Sequence, residues 1–69
     1  ESEVKQKVRA SAALLKSART YLGLEQEELA RAAGISRPTL SKLEAGNAVS
    51  FESTREAVQT ALEHRGIVF

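Results

Sequence analysis

Between Gly34 and Gly46 the chain reads ISRPTLSKLEA, and on a helix the residues turned away from Leu40 and Leu43 are Ser36, Arg37, Pro38, Ser41 and Lys42. A forked guanidinium, a flexible ammonium and short hydroxyls are recognition chemistry, suited to fixed donors and acceptors on another molecule. They are not bond-breaking chemistry. Nowhere does a nucleophile stand beside a base, and the glutamates fall on outward faces rather than paired in a cleft. The absence of Cys excludes disulfides, thiolate zinc sites and cysteine nucleophiles, and the single His64 cannot build a metal site without carboxylate partners. His64 falls in a last helical turn, where a solvated histidine suits the helix dipole. The sequence therefore argues against an enzyme, and no cofactor, metal or small-molecule ligand is expected.

The elements that must carry these residues are helical. At 69 residues the chain is one domain, near the size at which a single core barely offsets chain entropy. Apolar residues make up 42%, but no run is long enough to span a bilayer and no signal peptide opens the chain, so a soluble, cytoplasmic protein is expected. Glu1 stands where a start Met would, as in a trimmed product. A net charge of +1 is only a weak hint of nucleic acid. Neither an internal repeat, a linker nor a low-complexity segment is visible.

Helix 1 carries Leu14, Ala18, Tyr21 and Leu22 on one face and stops at Gly23. Two starts are open for it. Val4 and Val8 continue a four-residue spacing toward Ala12 and Leu15, and Ser2 could cap a helix beginning near residue 3; alternatively residues 1–10 form an arm ahead of a cap at Ser11. Helix 2 spans about Glu25 or Gln26 to Ala33, with Leu29, Ala30 and Ala33 inward, and Gly34 ends it. Helix 3 opens with Ser36 as N-cap, then Arg37 and Pro38 in the first turn, where a missing backbone donor costs nothing. Its inner face is Leu40 and Leu43, and Gly46 stops it. After a loop from Asn47 to Glu52, Ser53 and Glu56 form an S-x-x-E capping box for helix 4, whose inward residues are Ala57, Val58, Ala61 and Leu62. Gly66 ends that helix, and residues 67–69 (Ile67, Val68, Phe69) form an apolar tail. Tyr21, Phe51 and Phe69 are expected to pack on the core or on a partner.

Helices 2 and 3, separated by a glycine turn with the small Ala30 at the crossing, must cross steeply. This is a helix-turn-helix. Counted from Gln26 as first, apolar or small residues fall at the fourth, fifth, eighth, tenth, fifteenth and eighteenth positions, with Gly34 ninth.

The segment LLKSARTYLGLEQEELARAAGISRPTLSKLEAG resembles the DNA-binding domain of the phage repressor and Cro family, which includes the xenobiotic-response-element (XRE) regulators of bacteria. The likeness covers about positions 13 to 66, and its most specific parts are ARxxLGLxQEELA and GISRPTLSKLEAG. It implies an all-α fold, a compact lambda-repressor-like bundle of four to five helices, together with a homodimer on a two-fold operator and repression of transcription. By family position Ser36, Arg37, Pro38 and Lys42 match base-reading sites, and Gln26 and Thr39 match sites that hold phosphates. The chain departs from the family twice. Glu25, with Glu27 and Glu28, surrounds Gln26 with acid where an uncharged cap is usual, and this repels phosphate. Ala45 occupies the place of a frequent phosphate-donating Asn, leaving Asn47 as its substitute.

The residues of helix 3 fit that assignment on physical grounds. A major groove accepts one α-helix, and the Arg37 fork matches guanine O6 and N7 from the end that probes deepest. Ser36 is chiefly a cap. Lys42, one turn past Pro38, reaches either a base or a phosphate, and Gln26 would offer its amide, with the dipole of helix 2, to the DNA backbone. The expected partner is double-stranded DNA. The competing class is a protein-contact module of the same fold, antitoxin-like or bridging-coactivator-like; it would show an apolar outer face on helix 3, and this face is polar. Two structural expectations complete the reading. Arg19 and Glu44, at the edges of their buried stripes and in positions whose family counterparts commonly pair, should form a partly buried salt bridge, and the apolar tail or the Val4–Val8 stripe should join two copies.

Overall fold

Four helices make up the described part of the computed structural model, residues 10–46 and 52–69: α1 (Ala12–Leu22), α2 (Gln26–Ala33), α3 (Arg37–Glu44) and α4 (Glu52–Glu63). The fold is an all-helical bundle, as expected, with α2 packed on α3 and α4, and α1 packed on α3 and α4. Leu15, Leu29, Leu40 and Leu62 bring one large apolar side chain from each helix into full burial, each stabilising by about 1.5 to 3 kcal/mol relative to exposure. Among the described residues no helix is long and apolar enough to cross a membrane.

The helix-turn-helix is built by local signals. Gly34 takes φ +74°, and its N–H donates to the Arg31 carbonyl while Ile35 N–H returns to the Ala30 carbonyl. A side chain at position 34 would be strained at that φ, so the glycine ends α2 and redirects the chain into α3. Two residues on, the Ser36 hydroxyl accepts from Thr39 N–H at 3.2 Å and opens α3, with Pro38 in the first turn.

At four places the structure corrects or narrows what the sequence implies. α1 does not run in as a continuous helix from near residue 3, because Ser11 is extended and its hydroxyl caps Leu14 N–H. Ala10 explains why. Its N–H donates to Gln59 Oε1 at 3.1 Å and its carbonyl accepts from Arg55 Nη1 at 3.4 Å, so its backbone groups are committed to α4 side chains. Ser2, Val4 and Val8 lie outside the described residues. Second, the inward face of α1 is Leu15, Ala18 and Leu22, while Leu14 and Tyr21 are 52% and 83% exposed. That rotation turns Arg19 toward α3.

Third, α4 starts at Glu52, so Ser53 lies within its first turn and is not its cap. The Glu52 carboxylate already pairs with Arg55 one turn along, and the inner face takes in Arg55 and Gln59, whereas Ala57 is only half-buried. Fourth, the tail is partly consumed by its own domain: Ile67 N–H donates to the Leu62 carbonyl, Ile67 and Phe69 pack on the core, and Val68 alone is fully outward. Phe51 lies outside the described residues.

Candidate nucleic-acid interface

Leu40 and Leu43, both buried, fix which side of α3 faces solvent, and Arg37, Pro38, Ser41 and Lys42 are all exposed on the other. The Ser41 and Lys42 side chains make no hydrogen bond or ion pair among the described residues. Their donors are available to a ligand. Ser36 and Thr39 are occupied with each other, Oγ to Oγ1 at 2.8 Å, in addition to the cap. They shape the entrance of α3 more than they extend from it. Asn47 lies outside the described residues.

Behind this face lies the expected ion pair. Arg19 Nε donates to Glu44 Oε2 at 2.7 Å and Nη2 donates to Oε1 at 3.1 Å, a two-pronged contact in which the side chains are 14% and 2% exposed. The remaining Arg19 donor, Nη1, reaches the Leu24 carbonyl at 2.8 Å in the turn between α1 and α2. One guanidinium thus joins α1, the following turn and α3. Breaking a buried pair of this kind leaves an uncompensated charge, which is why such contacts fix relative helix positions.

Gln26 sits where these parts meet, and here the sequence showed less than the structure. Its Nε2 donates to Glu44 Oε1 at 3.0 Å, and its Oε1 accepts from Arg37 Nη1 at 3.2 Å. Arg37 is therefore tied back, through Gln26 and Glu44, to Arg19. A residue paired with phosphate sites by family position proves to be engaged at both ends within the protein. An open cavity of about 570 Å³ lined by Arg19, Glu25, Gln26, Glu27 and Arg37 lies against this contact.

Two of the acids around Gln26 have partners within α2 or at its cap. Glu28 accepts from the Glu25 backbone N–H at 2.9 Å, capping α2, and Glu27 lies 3.9 Å from Arg31 in an exposed i,i+4 pair. Carboxylates at a helix N-terminus are favourable to the helix itself, so their local gain is structural.

A helix-turn-helix family model matches residues 15–53, which takes in most of α1, both helices of the motif and the start of α4. The chain belongs to the Cro/C1-type helix-turn-helix domains of the XRE family. No curated protein matches it. As an XRE-type domain the chain carries the fold of DNA-binding regulators, in a family that is not enzymatic. Double-stranded DNA is the ligand class that goes with it.

Proposed function

We propose that this XRE-type domain is a sequence-specific regulator of transcription, a cytoplasmic repressor that reads the major groove of double-stranded DNA with α3 and binds a two-fold operator as a homodimer. The observation that carries this reading is Arg37: it stands exposed at the leading end of α3, opposite the buried Leu40 and Leu43, and is held there by Gln26. A guanidinium so placed suits the paired acceptors O6 and N7 of guanine. Lys42 reaches a second base, Ser41 lies between them along the helix, and Pro38 makes apolar contact. Thr39 and, by its place in the sequence just past Gly46, Asn47 hold the DNA backbone, while Ser36 serves chiefly as the cap of α3.

For the homodimer, the support is exposed apolar surface: Val68 on the tail, and Leu14 with Tyr21 on α1. Ile67 and Phe69 contribute less than the sequence suggested, since their own core covers them in part.

Selection from random-sequence duplex DNA with the purified chain tests the reading. Recovery of a two-fold motif, with a guanine at a fixed place in each half, is the expected result. Recovery of no motif overturns it and favours the protein-contact module. Mass measurement of the chain with the selected duplex then gives the stoichiometry, and one chain per duplex at saturation removes the homodimer.

A further inference from the structure

We infer that Glu44 and Gln26 are positioning residues that determine sequence discrimination at the base read by Arg37, an inference that rests on the reading of Arg37 given above. The argument starts from the polarity of the groups. The Glu44 carboxylate is 2% exposed and can only accept, so the Gln26 end that meets it must be the donating Nε2. The opposite end, Oε1, is then turned outward as an acceptor, and Arg37, which can only donate, closes on it. Reversing the amide would set oxygen against carboxylate and N–H against guanidinium, two repulsive contacts in place of two hydrogen bonds. Donor and acceptor therefore alternate without conflict from the buried Arg19 to the exposed Arg37.

This arrangement leaves part of Arg37 unused. Only Nη1 is engaged by Gln26, so the edge formed by Nε and Nη2 keeps the spacing that two neighbouring acceptors on one base require. A long side chain held at one corner loses less rotamer freedom when it binds, and misplaced pairings cost more because the fork cannot swing to meet them. Held in this way, Gln26 acts on specificity through Arg37. A side chain that merely held phosphate would act on all sequences alike.

The two roles separate in a titration of Gln26→Ala, Glu44→Gln and Arg37→Ala, singly and in combination. Two duplexes are used: the one recovered by random-sequence selection, and the same duplex changed only at the base that Arg37→Ala ceases to discriminate. Gln26→Ala leaves the Arg19–Glu44 pair in place and keeps the chain folded if Glu44→Gln does not. The expected result is a fall of about tenfold in the affinity ratio of the two duplexes for Gln26→Ala, and a similar fall for Glu44→Gln, with no further fall in the Arg37→Ala background. Affinity for the changed duplex stays within about twofold. Equal weakening on both duplexes overturns the inference and makes Gln26 a phosphate contact; additivity with Arg37→Ala overturns it as well. If Arg37→Ala itself discriminates like the parent at every base, the reading of α3 falls first, and the inference with it.

Discussion

Among the described residues, Arg19 and Arg55 are the two arginines taken out of solvent, their side chains 14% and 11% exposed, and they end in different company. Arg19 meets a carboxylate that is itself buried, Glu44, and the contact continues through Gln26 to the exposed Arg37. Arg55 pairs with Glu52, whose side chain is 55% exposed, and reaches inward to the backbone carbonyl of Ala10. Both cations stabilise a junction between distant segments. The first junction leads outward to the face of α3 proposed to read DNA, and the second ends in the interior, pinning the chain just ahead of α1. Burial of an arginine says that two segments are tied; the polarity and exposure of its partners say whether that tie reaches a ligand.

The comparison breaks most visibly in stability. Glu44→Ala leaves Arg19 buried with its carboxylate gone and should cost about 3 to 5 kcal/mol in urea unfolding, whereas Arg55→Ala frees a carboxylate that water already reaches and should cost about 1 to 3 kcal/mol. A larger loss for Arg55→Ala would reverse the ranking. Next comes function without stability: Arg37→Ala should lose about 1 to 3 kcal/mol of binding on the selected duplex while its unfolding midpoint stays with the parent. The converse holds at the other junction. Gln59→Ala, which orphans the buried Ala10 N–H, should cost about 1 to 2 kcal/mol of stability and leave the duplex preference intact; a changed preference would show that the inner junction also reaches the DNA face. The smallest effect is at the cap, where Ser11→Ala should lower stability by about 1 kcal/mol, read from the same urea curves.

Which of these junctions could be read in advance follows from how local their signals are. Arg19 and Glu44 stand at the edges of their buried stripes, but their meeting across the fold was legible through the family resemblance, in which the counterpart positions commonly pair, and not through the periodicity of α1, which pointed to the wrong face. Ser36, Gly34 and the α2–α3 turn are legible because caps and positive φ are decided within four residues. Gln26 is different: which way its amide turns depends on a carboxylate eighteen residues away along the chain, and nothing in QEEL announces it. Gln59 and Arg55 were missed for the same reason, since their partner is the backbone of residue 10, and a backbone group has no side chain to betray it. On α1, apolar residues occupy two adjoining faces, so the spacing of Leu14 and Tyr21 looked as good as that of Leu15 and Leu22 until Arg19 chose between them. The outward face of α3 was readable as polar, but its available donors could be sorted from its occupied ones only when Ser36 was seen paired with Thr39.

The outward-facing carbonyl of Gln26 also limits how such a reader can be retuned. A side chain placed at position 37 inherits a fixed acceptor beside it, so replacements that donate, such as lysine, glutamine or asparagine, enter a ready-made partnership, while an acidic replacement faces oxygen against oxygen. Changing the base preference toward cytosine, which calls for an acceptor from the protein, thus requires position 26 to change along with position 37. With Arg37 as the proposed reader, the path between operator specificities runs through pairs of substitutions, and the buried Glu44 decides which pairs are open.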